Sequence, residues 1–200
     1  MTGLLRITAP DDGPVTLAEA KLHLRIDSTD EDTLIRALIS AATENVDGPR
    51  GYLGRALLTQ TWDYYLDGFC YNPSSVYHPS YIEIPLTPLR SVTGVYYRDS
   101  AGNEQTLSAS SYTVDTASEP GRIYSITAWP SSQLSYNRVR IRFVAGYVDD
   151  EVPFPIKAAI LIHIADLYEQ RESMNGANMA LLPWSAQQLL KPHRMHRGFA

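Results

Sequence analysis

Three adjacent acids, Asp149, Asp150 and Glu151, are the densest cluster of chemical groups in the sequence. Paired carboxylates can hold a cation or divide acid and base work between them. No spaced ligand loop accompanies these three, and a run with helical periodicity follows them. Stabilisation of a helix N-terminus is therefore the favoured reading. His163 stands in the apolar run Ala158–Ile164, where a hydrogen-bonded core or interface histidine is expected rather than a metal ligand or a base. The single cysteine, Cys70, has no recognisable histidine partner and reads as a small hydrophobe. Trp62, Trp129 and Trp184 offer faces that could stack on a sugar or a base. Trp62 and Trp129 sit in strand-like apolar surroundings and are expected in a core.

Recognised catalytic patterns are missing. There is no G-x-x-x-x-G-K-[ST], no G-x-G-x-x-G, no G-x-S-x-G and no H-E-x-x-H. One cysteine and five scattered histidines make no zinc pattern. No catalytic, cofactor-binding or metal-binding residue is assigned, and no cofactor is expected. A non-enzymatic protein that works through its surfaces is the favoured class. Two alternatives stand beside it. One is a tyrosine-rich lobe that binds carbohydrate on a host surface. The other is a hydrolase using Asp149, Asp150 or Glu151.

Composition fits a globular protein that acts by packing. The 200 residues are 44% hydrophobic and 20% charged. A chain of this length can bury roughly 70% of its unfolded surface, so it needs neither metal nor disulfide, and one cysteine cannot form an internal disulfide. Tyrosine is abundant, with 13 copies against 4 Phe. Its ring packs while its hydroxyl bonds, which suits half-buried strands and subunit interfaces. No signal-like pattern opens the sequence. The longest apolar run falls far short of the roughly 18 residues of a membrane span. A soluble chain made in a reducing cytoplasm, with no membrane partner, is expected.

Formal charge is −5, from 17 basic and 22 acidic residues, and it is uneven. Residues 173–200 contain no acid but hold Lys191, Arg194 and Arg197. Subtracting their +3 from the total leaves −8 on the rest. An acidic body disfavours wrapping around DNA, because such binding is driven by cations that neutralise phosphates. A basic tail suits an acidic protein partner.

The elements follow from periodicity. Thr16 and Glu19 have capping-box spacing, and Leu17, Ala20, Leu22 and Leu24 follow. Asp30, Glu31 and Asp32 open a second helix whose stripe is Leu34, Ile35, Leu38, Ile39, Ala42 and Val46, broken at Gly48-Pro49. From about Leu58 the period shifts to 2. Six or seven strands are predicted: Gln60–Leu66, then Tyr81–Leu86, Val92–Arg98, Glu104–Leu107, Tyr112–Asp115, Arg122–Ile126 and Val139–Ala145. A helix returns at Pro153 and Pro155. Ile156, Ala159, Ile160, His163, Ile164, Leu167 and Tyr168 form one face, with Leu161, Ile162 and Ala165 on the other. A helix apolar nearly all round is buried on more than one side.

The predicted class is α+β: a helical core with an inserted antiparallel β-rich lobe and an extended C-terminal tail. Residues 1–57 form the N-terminal helices, 58–148 the lobe, 149–172 the core helix and 173–200 a linker and tail, the helical parts making one domain. The linker is Ser173–Ala180. Beyond it lie Leu181-Leu182-Pro183-Trp184, a short helix Ser185–Leu190, and Pro192. Burying one Leu or Trp is worth about 1.5–3 kcal/mol, so this apolar tail must fold back or dock on a partner. Docking is the favoured outcome.

The order of these segments resembles the head–tail connector (adaptor) proteins of tailed bacteriophages and phage-derived gene transfer agents. The likeness rests on Val15-Thr16-Leu17-Ala18-Glu19-Ala20-Lys21, Asp30-Glu31-Asp32-Thr33-Leu34-Ile35, and the stretch Leu53-Gly54-Arg55-Ala56-Leu57-Leu58-Thr59-Gln60-Thr61-Trp62. It continues through Ile84-Pro85-Leu86-Thr87-Pro88-Leu89, Phe143-Val144-Ala145-Gly146-Tyr147, Pro153-Phe154-Pro155-Ile156-Lys157-Ala158-Ala159, Tyr168-Glu169-Gln170-Arg171-Glu172 and Leu189-Leu190-Lys191-Pro192-His193-Arg194. The resemblance implies a ring, usually of twelve copies, under the portal of a virion or phage-like particle. DNA would pass through it without sequence-specific binding, and a neck, stopper or tail protein would bind below. The lobe would face outward or toward the next ring. Under that reading Leu34, Leu38, Ile162 and Ala165 are expected at the subunit interface. Trp184, Leu189, Leu190, Lys191, Pro192 and Arg194 are expected to dock on the portal.

Overall fold

The structure, a computed structural model, describes residues 3–69, 81–130, 136–148, 151–170 and 182–195. The chain divides into two compact units. Residues 1–9 and 59–146 make a β unit, and residues 10–58 and 147–200 make a helical unit. The fold is α+β, as the periodicity predicted. The boundary differs from the sequence reading at the N-terminus, where residues 1–9 belong with the strands. Cys70, the Asn72–Ser80 loop, Asp149, Asp150, the Ser173–Ala180 linker, Leu181 and residues 196–200 lie outside the described residues.

The helical unit begins with α1 (Leu17–Leu24). The Glu19 N–H donates to Thr16 Oγ1 at 3.2 Å, and the Thr16 N–H donates to Glu19 Oε2 at 2.7 Å. This closes the capping box expected from the spacing. Arg25 ends the helix in the left-handed region, at φ 58°. Ala20 is buried, but Leu22 is 82% exposed and does not join the core. An eight-residue helix turns only a narrow face inward.

α2 (Asp32–Glu44) buries Ile35, Ile39 and Ala42 along the predicted stripe. α3 (Phe154–Glu169) buries Ile156, Ala159, Ile160, His163 and Ile164. α4 (Trp184–Leu190) buries Ala186 and Leu190. Apart from His163, these residues join Val15, Val46, Leu53, Leu57, Leu58, Val152 and Leu182 in one apolar cluster.

The β unit holds eight strands among the described residues. They are β1 (Gly3–Thr8), β2 (Gln60–Leu66), β3 (Tyr81–Glu83), β4 (Leu89–Arg98), β5 (Glu104–Thr106), β6 (Tyr112–Asp115), β7 (Arg122–Ser125) and β8 (Val139–Ala145). One antiparallel sheet has the order β1-β2-β8-β4-β5, and a second has β3-β7-β6. β1 was not predicted, because Gly3-Leu4-Leu5-Arg6-Ile7-Thr8 lacks clean alternation. It pairs with β2, Leu5 opposite Asp63 and Arg6 opposite Trp62. β3 is shorter than predicted, stopping at Glu83, yet Ile84 and Leu86 are buried all the same. β4 begins earlier, at Leu89. β7 ends at Ser125, leaving Ile126 62% exposed.

Alternation along β2 and β8 turns Trp62 and Leu66 inward with Val139, Ile141, Phe143 and Ala145. In the second sheet Ile82 and Ile123 pair and are both buried. Gly121 is required where the chain crosses Leu89, since a Cβ there would lie 2.5 Å from the Leu89 side chain. Trp62 is 6% exposed, as expected of a core residue. Trp129 is half-buried and stacks on Phe69, centroids 4.8 Å apart and planes 11° apart.

Candidate functional site

In the helical unit the residues expected at a subunit interface occupy two helices. Leu34 and Leu38 flank the buried stripe of α2, and Ile162 and Ala165 flank that of α3. All four are partly exposed, and Leu38 and Ile162 pack on the rim of the core. Phe154, the first residue of α3, is 85% exposed. Trp184, the first residue of α4, is 74% exposed. In both cases a proline at the N-cap fixes the backbone just ahead of the aromatic ring.

The tail segment departs from the sequence reading. Residues 182–195 fold back instead of standing clear of the core. Leu182 is 3% exposed, and Ala186 and Leu190 are fully buried. Leu190 therefore serves this chain's own core and is not available as a docking anchor. Leu189 is partly buried against the same cluster. The remaining expected anchors do lie outside: Trp184, Lys191, Pro192 and Arg194 are exposed. The Arg194 guanidinium sits 5.0 Å from the Tyr52 ring centroid, and the Met195 N–H donates to the Leu53 carbonyl at 2.9 Å. The end of the tail is thus held against the loop that follows α2.

His163 is 2% exposed, and Asn45 Nδ2 donates to its Nε2 at 2.9 Å. That bond ties the C-cap of α2 to the middle of α3. The tautomer it demands carries a proton on Nδ1, which has no hydrogen-bond partner. Burial holds the His163 pKa below the usual histidine range, against the pull of Asp166. Glu151 lies ahead of α3 and accepts the Val148 N–H. Among the described residues no group of three His, Cys, Asp or Glu is placed to hold a metal ion. No helix among them is long and apolar enough to cross a membrane.

The β unit presents a different surface. Arg140 and Arg142 of β8, the central strand of its sheet, and Arg138 just ahead of it alternate with Val139, Ile141 and Phe143, so the three arginines fall on one face. Register sets Asp63 of β2 beside Arg142, and Tyr65 and Tyr96 beside Arg140. Arg142 makes a bidentate pair with Asp63, both contacts at 2.8 Å. Arg140 bonds Glu104 at 2.9 Å, lies 3.6 Å from Asp63, and covers the Tyr96 ring at 4.1 Å. The Tyr96 ring in turn crosses Gly94, where a Cβ would come within 2.8 Å of the hydroxyl.

Asp63 is only 2% exposed on this face. Burial by itself would raise its pKa, but the hydrogen bond and charge of Arg142, with those of Arg140, hold it below the usual carboxylate range. Tyr65, Tyr96, Arg98, Glu104, Arg138 and Arg140 line an open depression of ≈ 140 Å³ on this face. Sequence reasoning assigned the strand but overlooked its cations. The signal was present in Arg138-Val139-Arg140-Ile141-Arg142-Phe143, where every polar position of one strand is arginine.

Residues 14–119 match the model of the phage gp6-like head-tail connector protein family. Among curated proteins none matches significantly. Several solved structures share the fold. The chain is 24% identical to a chain in the neck of an empty GTA particle computed with C6 symmetry, with a TM-score of 0.75 over 98% of this chain and 97% of that one. It is 23% identical to one in the virion of a native gene transfer agent (GTA) particle, with the same TM-score and coverage. A third, in the neck of a native GTA particle computed with C12 symmetry, is 22% identical at a TM-score of 0.66 and the same coverage.

Proposed function

The chain belongs to the phage gp6-like head-tail connector family, and from that premise we propose that it is a structural, non-catalytic subunit of the neck of a tailed phage or gene transfer agent. Copies form a ring below the portal, usually twelve, that continues the DNA channel and receives a stopper or tail protein beneath. The observation that carries this reading is the family match joined to a fold shared over 98% of the chain with neck chains from particles computed with C6 and C12 symmetry. In a ring each subunit offers two unlike faces to its neighbours. The partly exposed residues Leu34 and Leu38 of α2, and Ile162 and Ala165 of α3, supply apolar surface for such a contact. Trp184, with Lys191, Pro192 and Arg194, supplies the surface for the portal: an exposed aromatic anchor beside cations.

The test is removal of the gene from a producing strain. Heads without tails are expected in the electron microscope, restored by supplying the gene in trans, with the chain located at the neck of restored particles. Normal tailed particles assembled without the chain would defeat the proposal. The portal contact is tested by co-purification of the chain with the cognate portal. Trp184→Ala is expected to weaken capture while leaving the fold intact, and unchanged capture would remove Trp184 from the interface.

A further inference from the structure

The charge of this chain is segregated. The β unit holds seven arginines, no lysine and seven carboxylates, and is neutral; the helical unit carries the entire −5. Four of those arginines, Arg98, Arg138, Arg140 and Arg142, share the outer face of the five-stranded sheet with two acids, Asp63 and Glu104. That face is therefore locally positive. Its arginines are not equally engaged. Arg142 and Arg140 are committed to Asp63 and Glu104. Arg138 makes one long contact, Nη1 to the Asp99 carbonyl at 3.3 Å. The exposed guanidinium of Arg98 makes no hydrogen bond among the described residues. Arg98 and Arg138 line the ≈ 140 Å³ depression, and Tyr65 and Tyr96 form part of its wall. Such a recess suits a carboxylate, since a guanidinium takes a planar two-oxygen acceptor in matched geometry.

The helical unit offers a complement. At the end of the connection between α1 and α2, Glu31 accepts the Tyr168 hydroxyl at 2.5 Å, and Asp32, which opens α2, is paired with Lys21 at 2.7 Å. Asp27 and Asp30 in the same connection are exposed and carry no such partner among the described residues. A heterologous contact needs two unlike patches on one chain, and this chain carries one of each sign. We propose that the arginine face of the β unit docks the α1–α2 connection of a second copy, with Asp27 and Asp30 entering the depression beside Arg98 and Arg138. The inference rests on the ring reading only in requiring copies to meet. It identifies which surfaces meet and makes the contact salt-sensitive.

The test is charge reversal in the full chain, with self-association followed by analytical ultracentrifugation at low and high salt. Arg98→Glu with Arg138→Glu is expected to weaken association about tenfold or more at low salt, and Asp27→Lys with Asp30→Lys to do the same. All four substitutions in one chain are expected to restore it. That rescue also excludes misfolding as the cause of the loss. Association indifferent to both reversals, a quadruple variant no better than the pairs, or a wild-type chain that stays monomeric throughout would each overturn the proposal. A short DNA duplex is the rival occupant: binding lost on the arginine reversal, with self-association unchanged, would assign the face to phosphates and overturn it too. Association that survives reversal leaves the ring reading standing, whereas tailed particles made without the chain defeat the ring and not this contact.

Discussion

In the helical unit the core is almost wholly apolar. Ile35, Ala42, Ile156, Ile160, Ile164 and Leu190 are buried outright, and one neutral histidine is the polar exception among its helices. In the β unit a carboxylate is 2% exposed beneath two arginines on a sheet face that alternation alone would leave to solvent. Both units leave large apolar side chains exposed, Phe154, Trp184 and Leu22 in the helical unit and Leu5, Ile7 and Ile126 in the β unit, but the arginine face belongs to the β unit alone. A contact made through the first is hydrophobic and tolerates salt; a contact made through the second is ionic and weakens with it. An assembly subunit with both can bind one partner firmly and another by charge.

The sharpest way to break this comparison is to remove the element that closes the apolar core. Deleting residues 182–200 withdraws Leu182, Ala186 and Leu190. Each leucine contributes about 1.5–3 kcal/mol by burial, and the partners left uncovered add to that, for a loss of about 5 kcal/mol or more. That approaches the whole stability of a small domain. The helical unit should lose its cooperative transition in urea while the β unit keeps its own. A truncated chain with an unchanged transition would show that the tail only touches the core. Single substitutions refine the point. Leu190→Ala should cost about 3 kcal/mol, and Trp184→Ala less than about 0.5 kcal/mol, although the two residues end the same seven-residue helix. Equal costs would mean that exposure does not separate a folding residue from a docking one.

The β unit is probed at Asp63. Asp63→Asn keeps the shape but removes the charge facing Arg142 and Arg140. A loss of about 2 kcal/mol is expected, below the range for a fully buried pair because Arg142 is one-third exposed. The pH dependence has a definite sign. The folded pKa lies below the 3.8 of a free aspartate side chain, so the contribution is fully present above that value and is lost as pH falls through the folded pKa. Acid titration of the wild-type β unit should therefore be steeper below about pH 4 than that of Asp63→Asn. Parallel curves would place the pair among ion pairs of no consequence.

Much of this fold was legible in the sequence, and the failures share a cause. The capping box of α1, the stripe of α2 and the alternation of β2 and β8 depend on residues close together in the chain. β1 was invisible because its reason to exist is pairing with β2, more than fifty positions away. The tail was misjudged on the same ground. Trp184-Ser185-Ala186-Gln187-Gln188-Leu189-Leu190 shows an apolar face but not what covers it, and the cover is a core assembled from α2 and α3. Of the candidate surfaces, Trp184 could be singled out as apolar and isolated. The arginine face needed the register of three strands before Asp63, Arg140 and Tyr96 became neighbours.

His163 gives the smallest and most specific test of the contrast, because it is the titratable group buried among the helices. Its neutral form is the one the core accepts, with Nε2 taking the Asn45 amide and Nδ1 left without a partner. Burial places the folded pKa below the 6.5 of the free side chain. Between the two values the unfolded chain binds a proton at this position that the folded chain does not, so stability falls as pH drops through 6.5. The loss can reach about 1.4 kcal/mol per pH unit within that window. His163→Gln keeps an acceptor for Asn45 and cannot titrate. Its helical-unit transition should be flatter across that window than the wild type's, the exposed histidines contributing equally to both. If the curves coincide, protonation does not discriminate the folded helical unit from the unfolded one, and the apolar core tolerates charge better than its composition implies.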